Sequence, residues 1–397
     1  MTEAPAFQIE PPEFLSELAL ASLLDLLPEA RIVGGAVRDT LAERPFVDID
    51  LASPLPPETV MQRLTEAGIK VVPTGVAHGT VTAVAGGRGI EITTLRRDVE
   101  TDGRHAVVAF TDDWREDAAR RDFTINAMSM TRDGAVFDYF GGRDDIRTGR
   151  LRFVGDPAAR EAEDYLRVLR FFRFFARYGG TEPDEPTLAA MRGAIPRLAT
   201  LSAERVWQEL NRILSAPDPV ASVALMDRLG VLTSVVPEGT NVSALATLVV
   251  RGSSADPLLR MAALLTGDPL AFATRLKLSL AERDRLEALR AAPLARPGDD
   301  DAAVRRLLAD TPADVLMDKT WLTGGNGTEW DSLRDRLRSS PPPIFPLEGQ
   351  DILDFGATQG PRVGEVLRAV RAWWLDGGCT ADAKTCQGEA LRLYLSS

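Results

Sequence analysis

The sequence predicts an α+β protein: a head of mixed β-sheet with helices, followed by a long, all-helical arm. Three observations lead there. Between 31 and about 140, short apolar runs are broken by glycine pairs and interleaved with helical stretches. Beyond about 155 the strand signals fade and helical periodicity dominates, punctuated at Pro217 and Pro219, Gly252-Ser253-Ser254, Pro297-Gly298 and Pro341-Pro342-Pro343. The length, 397 residues, exceeds one ordinary core, so several domains are expected. The expected division is 1–150 for the head, 151–215 for a helical neck and 216–397 for a helical body and tail.

The elements follow in order. Residues 13–27 carry an amphipathic helical pattern. Residues 30–33 read as a short strand, Gly34-Gly35 as a tight turn and 36–41 as a helix start. Glycines let a backbone approach a phosphate closely, and a helix N-terminus favours negative charge. Next comes Val47-Asp48-Ile49-Asp50-Leu51. Acids at i and i+2 of a strand share one face, because side chains alternate. Carboxylates that close repel unless a divalent cation neutralises them, and an oxygen-only set suits Mg²⁺, whose remaining positions go to water and phosphate. A lone Gly-Gly is usually a plain turn, and Asp-x-Asp a solvated edge. In this order, with Arg38 between them, the two point to a metal-assisted phosphate site.

Residues 58–67 form a further helix pattern, and 81–85 with 90–94 a β-hairpin about Gly86-Gly87-Arg88-Gly89. The segment 98–113 is polar and contains glycine, so a flexible loop is expected. Residues 136–139 form the last strand, closed by Gly141-Gly142. Arg120-Arg121 opens the run Asp122-Phe123-Thr124-Ile125-Asn126-Ala127. Paired arginines grip a triphosphate well; pairing with the acidic stretch 112–117 explains them equally well.

Residues 161–177 are expected as one helix. At 100° per residue, Val168, Leu169, Phe172 and Phe175 gather on one side, with Arg167, Arg170, Arg173 and Arg177 opposite and Asp164 at the boundary. Any amphipathic helix has such faces, but solvation alone does not require a polar face made almost wholly of arginine. Asp164 and Arg167, three apart, would be neighbours. A carboxylate accepting an amino group beside a guanidinium donating to a ring nitrogen matches cytosine and adenine, and mismatches uracil and guanine.

Bulk properties bound the function. Hydrophobic content of 45% and charged content of 26% describe a globular protein. No run approaches the roughly 18 apolar residues of a membrane span, and no leader pattern opens the chain, so a cytoplasmic protein is expected. Two cysteines, Cys379 and Cys386, suggest a reducing compartment. With two histidines, His78 and His105, zinc is not expected. The net charge of −12 opposes bulk attraction to nucleic acid. Residues 31–180, however, are nearly balanced, 22 Lys+Arg against 23 Asp+Glu, so arginine clusters there remain able to hold a polyanion.

These motifs resemble the class II CCA-adding enzymes, in the tRNA nucleotidyltransferase/poly(A) polymerase family of the polymerase-beta nucleotidyltransferase superfamily. The matching pieces are Gly34-Gly35-Ala36-Val37-Arg38-Asp39, Asp48-Ile49-Asp50-Leu51, Arg120 through Ala127, and Glu163-Asp164-Tyr165-Leu166-Arg167-Val168-Leu169-Arg170. More weakly, Leu201-Ser202-Ala203-Glu204-Arg205-Val206-Trp207-Gln208-Glu209-Leu210 and residues 346–351 also match, whereas 220–340 matches no motif. The resemblance implies template-independent addition of C, C and A to the tRNA 3′ end from CTP and ATP, with release of pyrophosphate.

It further implies that Asp48 and Asp50 hold two Mg²⁺ ions, that Gly35, Arg38 and Arg121 contact sugar and phosphates, and that Asp164 and Arg167 read the base. Arg170 and Arg173 would support the helix and the triphosphate, Glu91 would supply a third carboxylate, and 98–113 would be the loop associated with the switch from C to A. The arm would clamp the tRNA acceptor and elbow by shape and phosphate contacts; neither DNA nor a membrane is an expected partner. Two departures stand out. Leu41-Ala42-Glu43-Arg44 replaces a common Leu-Gly-Arg, and no His-Asp dipeptide exists to suggest a phosphohydrolase. The rivals are a poly(A) polymerase, a CC-only or A-only enzyme, a non-catalytic RNA-binding relative and a small-molecule nucleotidyltransferase. Thr74-Gly75-Val76-Ala77-His78-Gly79 stands where poly(A) polymerases usually carry Gly-Arg-Arg-Phe.

Overall fold

The computed structural model describes residues 3–46, 48–101, 106–354, 356 and 359–395, with backbone alone for 98–101 and 106–108. Two compact units divide it, one up to Val235 and the other from Val236. The expected head boundary at 150 falls inside the first unit, and that at 215 lies 20 residues short of the division.

The first unit opens with strand β1 (Phe7–Gln8), a 3-10 turn at Glu13–Ser16 and helix α1 (Leu18–Leu26), so the helix expected over 13–27 is split. Strand β2 (Arg31–Val33) leads through Gly34 into α2 (Gly35–Leu41), followed by β3 (Asp50–Ser53), α3 (Pro57–Glu66), β4 (Lys70–Gly75), β5 (Thr80–Ala85) and β6 (Arg88–Thr94). Gly86 and Gly87 both take positive φ, 58° and 77°, which gives the β5–β6 turn the twist of a tight hairpin. Next are β7 (Arg96–Thr101), β8 (Ala106–Phe110), α4 (Trp114–Ala119), β9 (Met128–Met130), β10 (Ala135–Asp138) and α5 (Gly142–Thr148).

Eight strands form one sheet in the order β1-β10-β9-β2-β3-β6-β5-β4, and β3 with β6 is its parallel pair. The sheet is therefore mixed, and it is accompanied by helices as expected. One face is closed by α1, α2 and α3 over a core including Leu23, Ile32, Val37, Leu51, Leu64, Ile92 and Met130. On the other face Trp114 covers Val33, Ala52 and Leu95, while Asp50 and Glu91 stay exposed.

One expectation is corrected here. The segment 98–113 is largely an antiparallel ribbon, with Asp98 opposite Val108 and Arg96 opposite Phe110. Its backbone groups pair with each other, and its second strand is the apolar run Ala106-Val107-Val108-Ala109-Phe110; residues 102–105 lie outside the described residues.

Helices then take over: α6 (Pro157–Glu163), α7 (Leu166–Tyr178), α8 (Glu185–Leu198), α9 (Ala203–Leu214), α10 (Val220–Leu229) and α11 (Val231–Val235). The helix expected over 161–177 is thus two. Asp164 breaks it with extended backbone, φ −156° and ψ 107°, while its Oδ1 accepts from the Leu166 amide at 3.0 Å. Short acidic side chains compete with the helix for backbone donors in this way. Phe123 packs with its ring centroid 5.2 Å from Phe174 and 6.0 Å from Phe171, which fixes the 120–127 segment against α7.

The second unit contains ten helices among its described residues, from Val242–Val250 to Ala383–Leu395. Cys379 and Cys386 are buried. Of the adjacent Trp373 and Trp374, Trp374 is 2% exposed and Trp373 38%. Among the described residues, no helix is long and apolar enough to cross a membrane.

Candidate active site

Gly34 bends β2 into α2 with φ +67°, and a Cβ there would stand 3.3 Å from Nη1 of Arg121. This close approach joins the first motif to the third. Around it lies a cleft of about 520 Å³ lined by Gly34, Gly35, Arg38, Asp50, Arg96, Arg120, Arg121, Asp122, Asn126, Asp164, Arg167, Arg170 and Phe174. Six arginines face three aspartates there. Inside a chain of net charge −12, such a cleft concentrates positive potential where a polyanion can reach it.

Five of these arginines are oriented by a carboxylate, and Arg96 donates its Nη1 to the His78 carbonyl at 2.6 Å. Arg38 gives Nε and Nη2 to Asp39 at 3.0 and 2.8 Å and Nη1 to Asn126 Oδ1 at 2.7 Å. Its guanidinium also lies over Phe174 and Tyr178, and the Tyr178 hydroxyl donates to Asp39. Arg120 and Arg121 share Asp117, at 2.8 and 3.1 Å. Burial alone would raise the Asp117 acid, but Arg121 and Arg120 prevail and hold it below the usual range. The two arginines thus pair with an acidic neighbour and also line the cleft. Asp122 is the deeper anchor. Its Oδ2 accepts from Arg170 Nε at 2.9 Å, and its Oδ1 from Asn126 Nδ2 at 3.0 Å and the Phe123 amide at 2.9 Å.

Asp164 and Arg167 both line the cleft, although not as neighbours on one helix. Asp164 precedes α7 and is held by Arg205 of α9 at 2.6 Å. Arg167, in the first turn of α7, donates to Glu163 and to the Arg160 carbonyl. Arg173 is not among the lining residues. It packs beside Glu209 of α9 at 3.2 Å, and burial brings its pKa down to about 10, with Glu209 partly opposing.

The carboxylates are arranged by the sheet. Asp50 opens β3, whereas Asp48 lies just before the strand. Pairing with β2 starts at Asp50 because its partner Val33 is the last residue before the Gly34 turn. In the parallel pair Asp50 stands opposite Glu91, which puts both side chains on one face. Burial first, then Glu91 and, more weakly, Asp48 push the Asp50 acid above its ordinary value, against Arg121. An oxygen-donor set under mutual repulsion fits a hard divalent cation that takes its remaining ligands from water and phosphate. Among the described residues no group of three His, Cys, Asp or Glu is preformed as a metal cage.

The sequence reading had assigned no role to Arg96, Asp117, Asp122, Asn126, Phe174 or Arg205. Asp122 and Asn126 were visible inside the Arg120–Ala127 motif, and Arg205 inside the Leu201–Leu210 one. Asp117 and Arg96 carried no signal beyond lying in charged runs.

Comparison with known proteins identifies what the chain is similar to. The model described as "Poly A polymerase head domain" matches residues 30–152, and the one described as "Probable RNA and SrmB- binding site of polymerase A" matches residues 180–242. The chain is 36% identical to the CCA tRNA nucleotidyltransferase 1, mitochondrial, of Danio rerio, over 87% of this chain and 83% of that protein. To its Mus musculus counterpart it is 35% identical, over 94% and 90%. The crystal structure of the Bacillus stearothermophilus CCA-adding enzyme in complex with CTP superposes with a TM-score of 0.76 at 26% identity, covering 94% of this chain and 96% of that one. Relatives of this identity, matched over most of both chains, show that the chain belongs to the CCA tRNA nucleotidyltransferase (CCA-adding enzyme) family.

Proposed function

We propose that this protein adds C, C and A in turn to the 3′ end of tRNA, using CTP and ATP and no nucleic-acid template. The observation that carries the proposal is the cleft lined by Asp50, six arginines and the Asp164–Arg167 pair, with Glu91 opposite Asp50 on the neighbouring strand. In each cycle the primer's 3′-hydroxyl oxygen bonds to the α-phosphorus. The bond from that phosphorus to the bridging oxygen of the β-phosphate breaks, the hydroxyl proton is lost, and pyrophosphate leaves.

Each group has a task in that displacement. Asp48 and Asp50 would hold Mg²⁺, with Glu91 beside them; the metal supplies charge stabilisation of the attacking and leaving oxygens when bound. Gly34 and Gly35 leave room for the sugar and phosphates against the backbone. Arg38 and Arg121, with Arg120 and Arg96 adjacent, neutralise the triphosphate; Asp39 fixes the direction of Arg38, and Asp117 that of Arg120 and Arg121, before substrate arrives. Asp164 accepts from the exocyclic amino group of C or A, and Arg167 donates to the adjacent ring nitrogen. Uracil and guanine would bring a carbonyl against the carboxylate, so they are rejected by repulsion as well as by lost bonds. Arg170 is locked to Asp122 and holds the base-reading helix on the nucleotide-holding segment. Arg173 supports α7 from behind through Glu209 rather than touching the triphosphate.

In this reading residues 1–150 perform the chemistry, 151–215 select the nucleotide, and 216–397 bind tRNA by shape and backbone. Residence in the cytoplasm, a reducing compartment, belongs to the same proposal and is supported by two buried, unbridged cysteines; fractionation of the source cell tests it. The activity is tested with labelled CTP and ATP and a tRNA transcript lacking its CCA end. The wild type should extend the transcript, whereas folded Asp48→Ala and Asp50→Ala proteins should lose incorporation by at least about a thousandfold. Wild-type rates in both variants would refute the carboxylate assignment.

A further inference from the structure

The Asp164 carboxylate does not hang freely in the cleft. Its Oδ1 accepts from the Leu166 amide at 3.0 Å, and its Oδ2 accepts from Nη2 of Arg205 at 2.6 Å. Arg205 itself does not line the cleft among the described residues. It stands in the first turn of α9, after the N-cap Ser202, where a cation is disfavoured by the helix dipole. That position makes sense when a carboxylate lies opposite. One turn on, the same helix presents Glu209 to Arg173. Helix α9 thus meets the break before α7, and α7 itself, through two ion pairs of opposite sense.

We infer that Arg205 is a specificity-determining positioning residue, which holds the Asp164 carboxylate so that it can turn away uracil and guanine. The inference rests on the base-reading role of Asp164. Rejection by repulsion works only while the carboxylate is pinned. An Asp164 free to rotate would swing from the incoming carbonyl, and the cost of the wrong base would fall. The correct bases would lose less, because their amino group draws the carboxylate back. Arg205 therefore controls the ratio between nucleotides more than the rate with any one of them. Its counterpart on the other reader is Glu163, which accepts from Arg167.

The test measures kcat/KM for CTP and for UTP on a tRNA transcript lacking CCA, in the full chain. In Arg205→Ala the CTP/UTP ratio should fall about tenfold, with the CTP kcat within a few-fold of wild type. Arg205→Lys should recover part of the ratio and Arg205→Gln less; these two also serve if the alanine protein fails to fold. In an Asp164→Ala background, Arg205→Ala should leave the ratio unchanged. An equal loss for both nucleotides, accompanied by a lower melting temperature, would reduce Arg205 to a structural pin and overturn the inference. An unchanged ratio in Arg205→Ala, with a collapsed ratio in Asp164→Ala, would overturn it while leaving the base-reading assignment standing. An unchanged ratio in Asp164→Ala would remove that assignment and the inference with it.

Discussion

Replacing Asp122 by asparagine preserves shape and removes one charge at the joint between the nucleotide-holding segment and the base-reading helix. Asp122 is 8% exposed and accepts from Phe123, Asn126 and two nitrogens of Arg170. Asparagine offers one acceptor oxygen, so its amide would present N–H groups either to Arg170 or to Asn126, donor against donor. Removing one member of a buried ion pair costs about 3–5 kcal/mol. Arg170 keeps 36% of its side chain in water, which screens the pair and lowers the expected cost to about 2–3 kcal/mol.

The assay is hydrogen exchange of the segments 120–130 and 166–178 in the full chain, because a two-unit protein has no single unfolding free energy. Protection there should fall about 30- to 150-fold, while helices of the second unit keep theirs. The sign with pH follows from the carboxyl group. Burial alone would raise the Asp122 acid, but Arg170 and the hydrogen bonds from Asn126 and Phe123 hold it below 3.8. Its contribution is complete above 3.8 and is lost only as pH falls through the folded value, so wild type and variant should differ by the same amount from pH 5 to 8. Exchange within about threefold of wild type in both segments would refute the ion-pair reasoning.

Other outcomes follow from the same structure. Asp50→Asn relieves the repulsion from Glu91 and Asp48, so the metal-free variant should melt above wild type at pH 7, while Mg²⁺ should raise the melting temperature of wild type alone; equal Mg²⁺ shifts would remove Asp50 from the metal site. Glu161 is 2% exposed, its Oε1 has no hydrogen-bond partner, and burial pushes its pKa from 4.5 up to about 8. A raised acid is least costly below 4.5, and stability is lost as pH rises from there to about 8. Glu161→Gln should accordingly match wild type near pH 5 and exceed it near pH 8 by on the order of 2–3 kcal/mol; a pH-independent difference would contradict this.

Much of the head was legible because its signals are local. Gly34-Gly35 must turn, the hairpin glycines must take positive φ, and alternation assigns faces to strands. The break at Asp164 was less legible, since the apolar face of the helix continues in register on both sides while one side chain captures the Leu166 amide. The register that sets Glu91 opposite Asp50 is not legible, because a parallel pairing across a long connection leaves no mark on either strand. The orienting roles of Asp117, Asp122 and Glu209 are hidden for a related reason: each resembles a solvated charge until folding buries it. The ribbon at Arg96–Thr101 and Ala106–Phe110 was hidden by the charged residues around it, although its second strand, Ala106-Val107-Val108-Ala109-Phe110, is wholly apolar.

The most direct test of the central claim uses tRNA transcripts ending before CCA, after C and after CC, each incubated with Mg²⁺, CTP and ATP. Addition of C, C and A in that order, completed from whichever point the primer begins and followed by arrest, is the predicted result. Long A tails, addition of only C residues or only A, or no incorporation from any primer would contradict the account.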